Sequence, residues 1–247
     1  MDEWEKVKKY NTNSKHWDRF NPDYGTDKYG NRKSADYNVY HAPFVILNHS
    51  WQINEKSNLS TSIYATFGSG YGHSGMANSD TYSSMDWYGA LDGMLNNTFR
   101  GADGSVDYGK IQDINVASQT GSQLILAKQK NVNTSTGAIV CYSNEFAEKW
   151  RFNVGLDARY FKARHTYEIL DLFAGEYYID SSRANVAIEN NSVANVDSWR
   201  NEKLGVGDVI QRDYDAVIVQ EGVFSQIEYS TQRISAFISG ALNYSHY

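Results

Sequence analysis

Cysteine occurs once in these 247 residues and proline only twice. The single thiol, Cys141, excludes an internal disulfide framework and any metal site built from several cysteines. No run of eighteen or more apolar residues exists, which excludes a transmembrane helix. Lysine and arginine form no basic patch and the net charge is −6. That balance leaves no electrostatic footprint for nucleic acid and is too mild for an acidic tail. The first ten residues, MDEWEKVKKY, hold no apolar signal core. If the protein belongs in an outer membrane, the expectation is a piece of a longer chain, with Met1 an internal methionine.

What is present is aromatic and alternating. Aromatics make up 14% of the chain, with 19 tyrosines, while apolar residues are 41% and charged residues 21%. The mean hydropathy of −0.59 reads as soluble, yet a transmembrane barrel also averages polar, because half of each strand faces water. In NLSTSIYATFG, residues 58–68, Leu59, Thr61, Ile63, Ala65 and Phe67 fall on one side of an extended chain. Asn58, Ser60, Ser62, Tyr64, Thr66 and Gly68 fall on the other. A period of two is how a strand reads when its faces meet different surroundings.

Six segments read as strands: roughly 40–51, 59–67, 137–143, 149–160, 217–229 and 233–244. The fourth, KWRFNVGLDARY, is the clearest, with Trp150, Phe152, Val154, Leu156, Ala158 and Tyr160 on one face. Lys149, Arg151, Asn153, Gly155, Asp157 and Arg159 line the other. The faces of 40–51 and 137–143 cannot be assigned. QINEKSN, NEFAE and STQ join the strands in pairs and are of hairpin length. Between the pairs lie long connections, roughly 68–136 and 161–216. Such loops are unusual in a compact soluble domain and expected where a barrel has tight turns on one membrane side only. Trp51, Trp150 and Tyr229 sit beside the short turns, and Phe67 and Tyr160 at the far strand ends, the placement of two aromatic girdles.

Four stretches resemble the barrel portion of TonB-dependent receptors, the plugged outer-membrane nutrient transporters. They are NPDYGTDKYGNRK (21–33), LNHSWQINEKSNLSTSIYATFGSGYG (47–72), GLDARYFKARHTYEILDLFAGEYYID (155–180) and VFSQIEYSTQRISAFISGALNYSHY (223–247). The resemblance implies a barrel of about 22 strands around a plug. It also implies uptake of a scarce nutrient, such as a siderophore, cobalamin or glycan, driven by an energised inner-membrane complex. Residues 1–247 then form a partial barrel domain, with the plug and the remaining strands absent. The energising complex would be reached through the missing N-terminal parts. No ligand-contacting motif is matched, so no ligand-binding residue is assigned.

The remaining motifs are thin. GSGYG at 68–72 lacks the lysine and helix of a phosphate loop and reads as the start of a flexible loop. GADGSVDYG at 101–109 places Asp103 and Asp107 near glycines, a faint calcium signal without EF-hand spacing. ARHTYEILDLFAG at 163–175 has Ile169, Leu172 and Phe173 at helical spacing and reads as a short loop helix closed by Gly175. The loop aromatics Tyr82, Trp87, Tyr88, Phe99 and Tyr108 are candidate ligand contacts. Cys141 has no readable histidine partner, His165 and Asp171 share no helical face, and the sequon NLS at 58–60 falls within a strand.

The expected fold is therefore all-β: about six strands of a larger antiparallel up-and-down transmembrane β-barrel with long extracellular loops. The expected location is the outer membrane, and the expected partners are its lipid and a nutrient ligand. No catalytic, cofactor or metal residues are assigned, and the chain is not expected to be an enzyme. The alternatives are a soluble extracellular β-sandwich or adhesin, and a smaller outer-membrane barrel. The lipid-facing set comprises Ile63, Phe67, Trp150, Phe152, Val154, Leu156, Ile234 and Ile238. The lumen-facing set comprises Tyr64, Arg151, Asn153, Asp157 and Arg159. In an intact barrel, Val154→Arg is expected to cost about 2–4 kcal/mol and Asn153→Arg close to nothing. Denaturant titration of the barrel in lipid vesicles measures both, and equal tolerance would contradict the face assignment.

Overall fold

The computed structural model describes residues 21, 23–78, 82, 99–101, 105–186 and 195–247. Strands β1 (Tyr24–Thr26), β2 (Arg32–Ser34) and β3 (Asn38–His41) lead into the hairpin of β4 (Phe44–Asn54) and β5 (Ser57–Ala77). After β6 (Val106–Asp107) and helix α1 (Tyr108–Ala117) come two more hairpins. These are β7 (Leu124–Ala147) with β8 (Trp150–Asp171), and β9 (Val209–Ser230) with β10 (Ser235–His246). A 3₁₀ turn at Ser181–Asn185 and a short helix α2 (Val196–Arg200) lie between β8 and β9. The main sheet has seven strands, ordered β10-β9-β8-β7-β5, with both β3 and β4 paired to β5. A smaller sheet has the order β2-β1-β6.

The chain divides into two compact units. One comprises residues 1–39, 71–130 and 166–213, the other 40–70, 131–165 and 214–247. Strands β3, β5, β7, β8 and β9 contribute residues to both.

The first unit holds two apolar cores. Leu124 and Leu126 join Phe99, Val106, Tyr108, Ile111 and Phe173 in one. Ile125 and Ala127, which point the other way from β7, join Tyr167, Ile169, Tyr178, Leu204 and Ile210 in the second. The run LILA is thus apolar on both faces because both faces are covered, and alternation vanishes where that happens. Helix α1 buries Tyr108, Ile111, Gln112 and Asn115, an i, i+3, i+4, i+7 stripe. Its N-cap is Asp107, whose side chain accepts from the Lys110 amide at 2.9 Å.

Asn115 ties this helix to the sheet. Its Nδ2 donates to the carbonyls of Leu124 (2.7 Å) and Leu172 (2.8 Å). Its Oδ1 accepts from the amides of Gln123 (2.9 Å) and Leu124 (3.1 Å). The side chain is 3% exposed and supplies hydrogen bonds that a neighbouring strand would otherwise give. Asp180 does similar work with the amides of Ser182 (3.1 Å) and Gln211 (2.7 Å). Gln211 has a φ of 56°, and the bond from Asp180 holds that left-handed backbone in place. At the turn after β1, the Asp27 carboxylate accepts from the Asn31 side chain (3.0 Å) and from the amides of Asn31 (2.8 Å) and Tyr29 (2.9 Å). The Asn31 side-chain bond is the main reason its pKa lies below the usual aspartate value. Burial of the Tyr178 phenol in the second core pushes its pKa up, with Asp180 adding to the shift.

The second unit is built differently. Its buried residues are small: Ser57, Gly68, Gly70, Ser135, Gly155 and Ala163. Among its described residues no large apolar side chain is buried, and both apolar cores lie in the first unit.

Several sequence expectations are corrected. All six strands form, but β5, β7, β8 and β9 run to 21–24 residues, well past the expected ends. The long connections shrink to 78–123 and 172–208, and they carry secondary structure. Residues 163–171 continue β8 instead of forming a helix. Ile169 lies in β8 and packs into one core, whereas Phe173 lies in the turn beyond the strand and packs into the other, so their spacing of four does not mark a helix. The chain then turns through Phe173 (φ 46°) and Ala174 (φ 63°). GSGYG lies inside β5, and a side chain at Gly68 would collide with the Tyr40 hydroxyl and the Asn133 amide. Ile234 sits in the turn before β10, where its carbonyl accepts from the Thr231 amide at 2.8 Å.

Asn115→Leu keeps the branched shape, though not the volume, and removes all five side-chain hydrogen bonds in a buried site. It is expected to destabilise the first unit by about 2–4 kcal/mol. Chemical denaturation, together with faster hydrogen exchange at the Leu124 amide, measures this.

Candidate functional site

The site is a surface: the two faces of the sheet in the second unit. Three tight turns, at 55–56, 148–149 and 231–234, meet at one end of this sheet. The Glu145 amide donates to the Lys56 carbonyl and the Ser230 amide to the Lys149 carbonyl, both at 2.8 Å. Hairpin register then fixes which residues share a face. In β4 and β5, Leu47 pairs with Ile63, Val45 with Ala65 and Trp51 with Leu59. In β9 and β10, Ile238 pairs with Ile227, Leu242 with Val223 and Ala236 with Tyr229.

Ring contacts join these pairs across hairpins. Trp150 lies 4.8 Å from Tyr229 and 6.4 Å from Phe146, centroid to centroid. Trp150 therefore shares its face with Phe146 of β7 and with the Tyr229–Ile227–Val223 row of β9. Alternation then adds Phe152, Val154, Leu156, Ala158 and Tyr160 of β8 to that face. The face is apolar and open: Leu47 is 66% exposed, Leu156 61%, Ile238 71% and Leu242 76%. Soluble monomers rarely expose contiguous apolar patches beyond a few hundred Å².

The apolar band has a defined height. From Trp150 to Tyr160 the strand climbs about 33 Å at ~3.3 Å per residue. A strand of that length would span about 25 Å if it were tilted by ~40°, the tilt and apolar-band height of outer-membrane barrels. Trp51 and Phe67 bracket the same stretch on β4 and β5, and both are more than half exposed.

The opposite face is mostly polar and internally bonded. Ser62 Oγ donates to Asn48 Oδ1 at 2.7 Å, and Asn58 Nδ2 to Ser50 Oγ at 3.0 Å. Ser143 bonds Asn153, and Arg151 pairs with Glu145. Two glycines on this face lie beneath aromatic side chains: Gly155 under the Phe224 ring and Gly137 under the Tyr64 phenol. Beside them is a groove of about 380 Å³ lined by Tyr64, Asp157, Arg159, Gln220, Phe224 and Asn243. Phe44, Ile46 and Phe237 share this face by register, so it is not uniformly polar.

Apart from Ile234, which lies in a turn, the sequence-derived sets separate by face. Tyr64, Arg151, Asn153, Asp157 and Arg159 share the polar face. Ile63, Phe67, Trp150, Phe152, Val154, Leu156 and Ile238 share the apolar one. The faces left open by sequence are now assigned: Val45, Leu47, Ala138 and Val140 are on the apolar side, Ile46, Ile139 and Cys141 on the polar side. The signal that could have found them was hairpin register counted outward from the tight turns.

The candidate ligand contacts fare otherwise. Phe99 and Tyr108 are fully buried in the first core, and Tyr82 packs on Phe99 with ring centroids 5.6 Å apart. Trp87, Tyr88 and Asp103 lie outside the described residues, and Asp107 is a helix cap. Among the described residues no group of three His, Cys, Asp or Glu is arranged to hold a metal. Compared with models of known protein families and with curated proteins, the chain matches none.

A methyl group at Gly155 would displace the Phe224 ring. Gly155→Ala is expected to cost about 1–3 kcal/mol. The cost is expected to fall sharply in a Phe224→Ala background, a coupling that a double-mutant cycle reads directly.

Proposed function

We propose that the sheet of the second unit is part of the wall of an outer-membrane β-barrel of the TonB-dependent receptor type. Its apolar face meets lipid and its polar face meets the interior. The observation that carries this is a single-layer sheet whose apolar face is open and about as tall as a bilayer's hydrocarbon band. Tight turns at one end and long, structured connections elsewhere support it, since barrels of this kind are built so. The receptor type itself rests on the four stretches that resemble that family. On this reading the complete protein takes up a scarce nutrient, a siderophore, cobalamin or glycan, with energy delivered from the inner membrane.

A soluble sandwich needs a second layer over the apolar face, and the described residues of this unit contain none. Backbone groups on unclosed edges cost several kcal/mol each in lipid, so the wall requires neighbouring strands.

Refolding from denaturant with and without detergent micelles, followed by circular dichroism, tests the proposal. The full strand signal, including that of the second unit, is expected only with detergent. A monodisperse folded monomer in plain buffer would overturn the reading.

A further inference from the structure

The apolar face of the second unit is not smooth. Across β5, β7, β8 and β9 it dips into a groove of about 440 Å³ lined by Ile63, Ala65, Ala138, Ala158, Tyr160 and Val219. Three of these six are alanines, so short side chains between long ones make the hollow. Glu221 also borders it. By register Glu221 stands opposite Tyr244 of β10, on the apolar face, and it is exposed there.

Charge gathers where the groove ends, on the side away from the tight turns. Lys162 and Arg164 follow Tyr160 at two-residue steps along β8, so their side chains leave on the same face. The Lys162 ammonium meets the Asp215 carboxylate of β9 at 2.8 Å. Asp215 belongs to the odd-numbered row of β9 that also holds Val219 and Val223. Arg164 acts electrostatically on both members of that pair. From Ala158 to Lys162 the strand advances about 13 Å, which carries the cations just past the aromatic rim at Tyr160. Groove and charges all lie within the second unit.

On the membrane-wall reading the tight turns face the periplasm, and the Tyr160 end reaches the outer leaflet. A lipid there presents an acyl chain beside the groove and a polar head level with the cations. Two cations against Asp215 leave a positive charge that suits a phosphate. Glu221, deeper on the same face, is an acceptor for a hydroxyl or amide N–H lying between chain and phosphate. A phosphatidylcholine head carries the phosphate without that donor, whereas a phosphorylated glycolipid carries both.

We infer that this face binds a phosphorylated glycolipid of the outer leaflet. Its acyl chain fills the groove, its phosphate meets Lys162 and Arg164, and its hydroxyl or amide N–H donates to Glu221. The inference rests on the membrane-wall reading but not on the receptor reading.

The full chain, refolded in detergent, is titrated with fluorescent lipid A, a phosphorylated and acylated glucosamine disaccharide. Saturable binding is expected, with phosphatidylcholine weaker by roughly tenfold. An excess of inorganic phosphate is expected not to compete. Lys162→Gln with Arg164→Gln is expected to weaken lipid A binding roughly tenfold. Ala138→Leu with Ala158→Leu fills the groove, leaves every charge in place and is expected to weaken it too. If that pair does not regain its strand signal, Ala138→Leu alone repeats the measurement. Equal affinity for the two lipids, full competition by inorganic phosphate, or unchanged affinity in either variant would overturn the inference. Those outcomes in a detergent-folded chain defeat this inference alone, whereas folding in plain buffer defeats the membrane-wall reading beneath it.

Discussion

Everything in the second unit depends on one requirement: a hydrogen-bonded single layer with a wide apolar face must keep that face away from water. Backbone pairing across the hairpins makes the sheet continuous. It does not hide Leu47, Leu156, Ile238 or Leu242, which stay mostly exposed. At about 25 cal/mol per Å², leaving such side chains in water forfeits the main favourable contribution to folding. The missing stabilisation has to come from outside the described layer; on the proposed reading, hydrocarbon supplies it.

The first unit meets the same requirement from within. There the strands carry apolar residues on both faces, and the chain returns to cover each of them. Helix α1 and β6 contribute to one core, and the segment between β8 and β9 contributes to the other. Polar side chains make the joints. Asn115 binds backbone groups of Leu124 and Leu172, and Asp180 binds the Ser182 and Gln211 amides, where regular strand pairing would not reach. These are ordinary soluble-domain solutions, and they sit in the same chain as a surface that has none of them.

The sequence was readable where one face was wet and the other greasy. The alternation in 59–67 and 149–160 marked true strands and sorted residues such as Asn153 and Val154 onto opposite faces. It failed where both faces are covered. LILA at 124–127 has no period of two, and at 169–173 the end of β8 and the turn after it together mimic a helical spacing. Helix α1 carried its stripe of Tyr108, Ile111 and Asn115 in plain view, but two of those positions are polar or amphipathic, and the stripe does not stand out as hydrophobic. The loop aromatics were misleading for a related reason. Phe99 and Tyr108 have the composition of a binding surface and the position of a core, and only tertiary contact separates the two.

Strand β8 carries this contrast along a single backbone. From Trp150 to Tyr160 its even-numbered positions are the apolar ones. From Ala163 to Ile169 the deeply buried apolar positions are odd-numbered. One continuous strand therefore obeys two incompatible sequence grammars, and no average over its length describes either. A substitution table fitted to the first half would misjudge the second, even though the strand runs unbroken from Trp150 to Asp171.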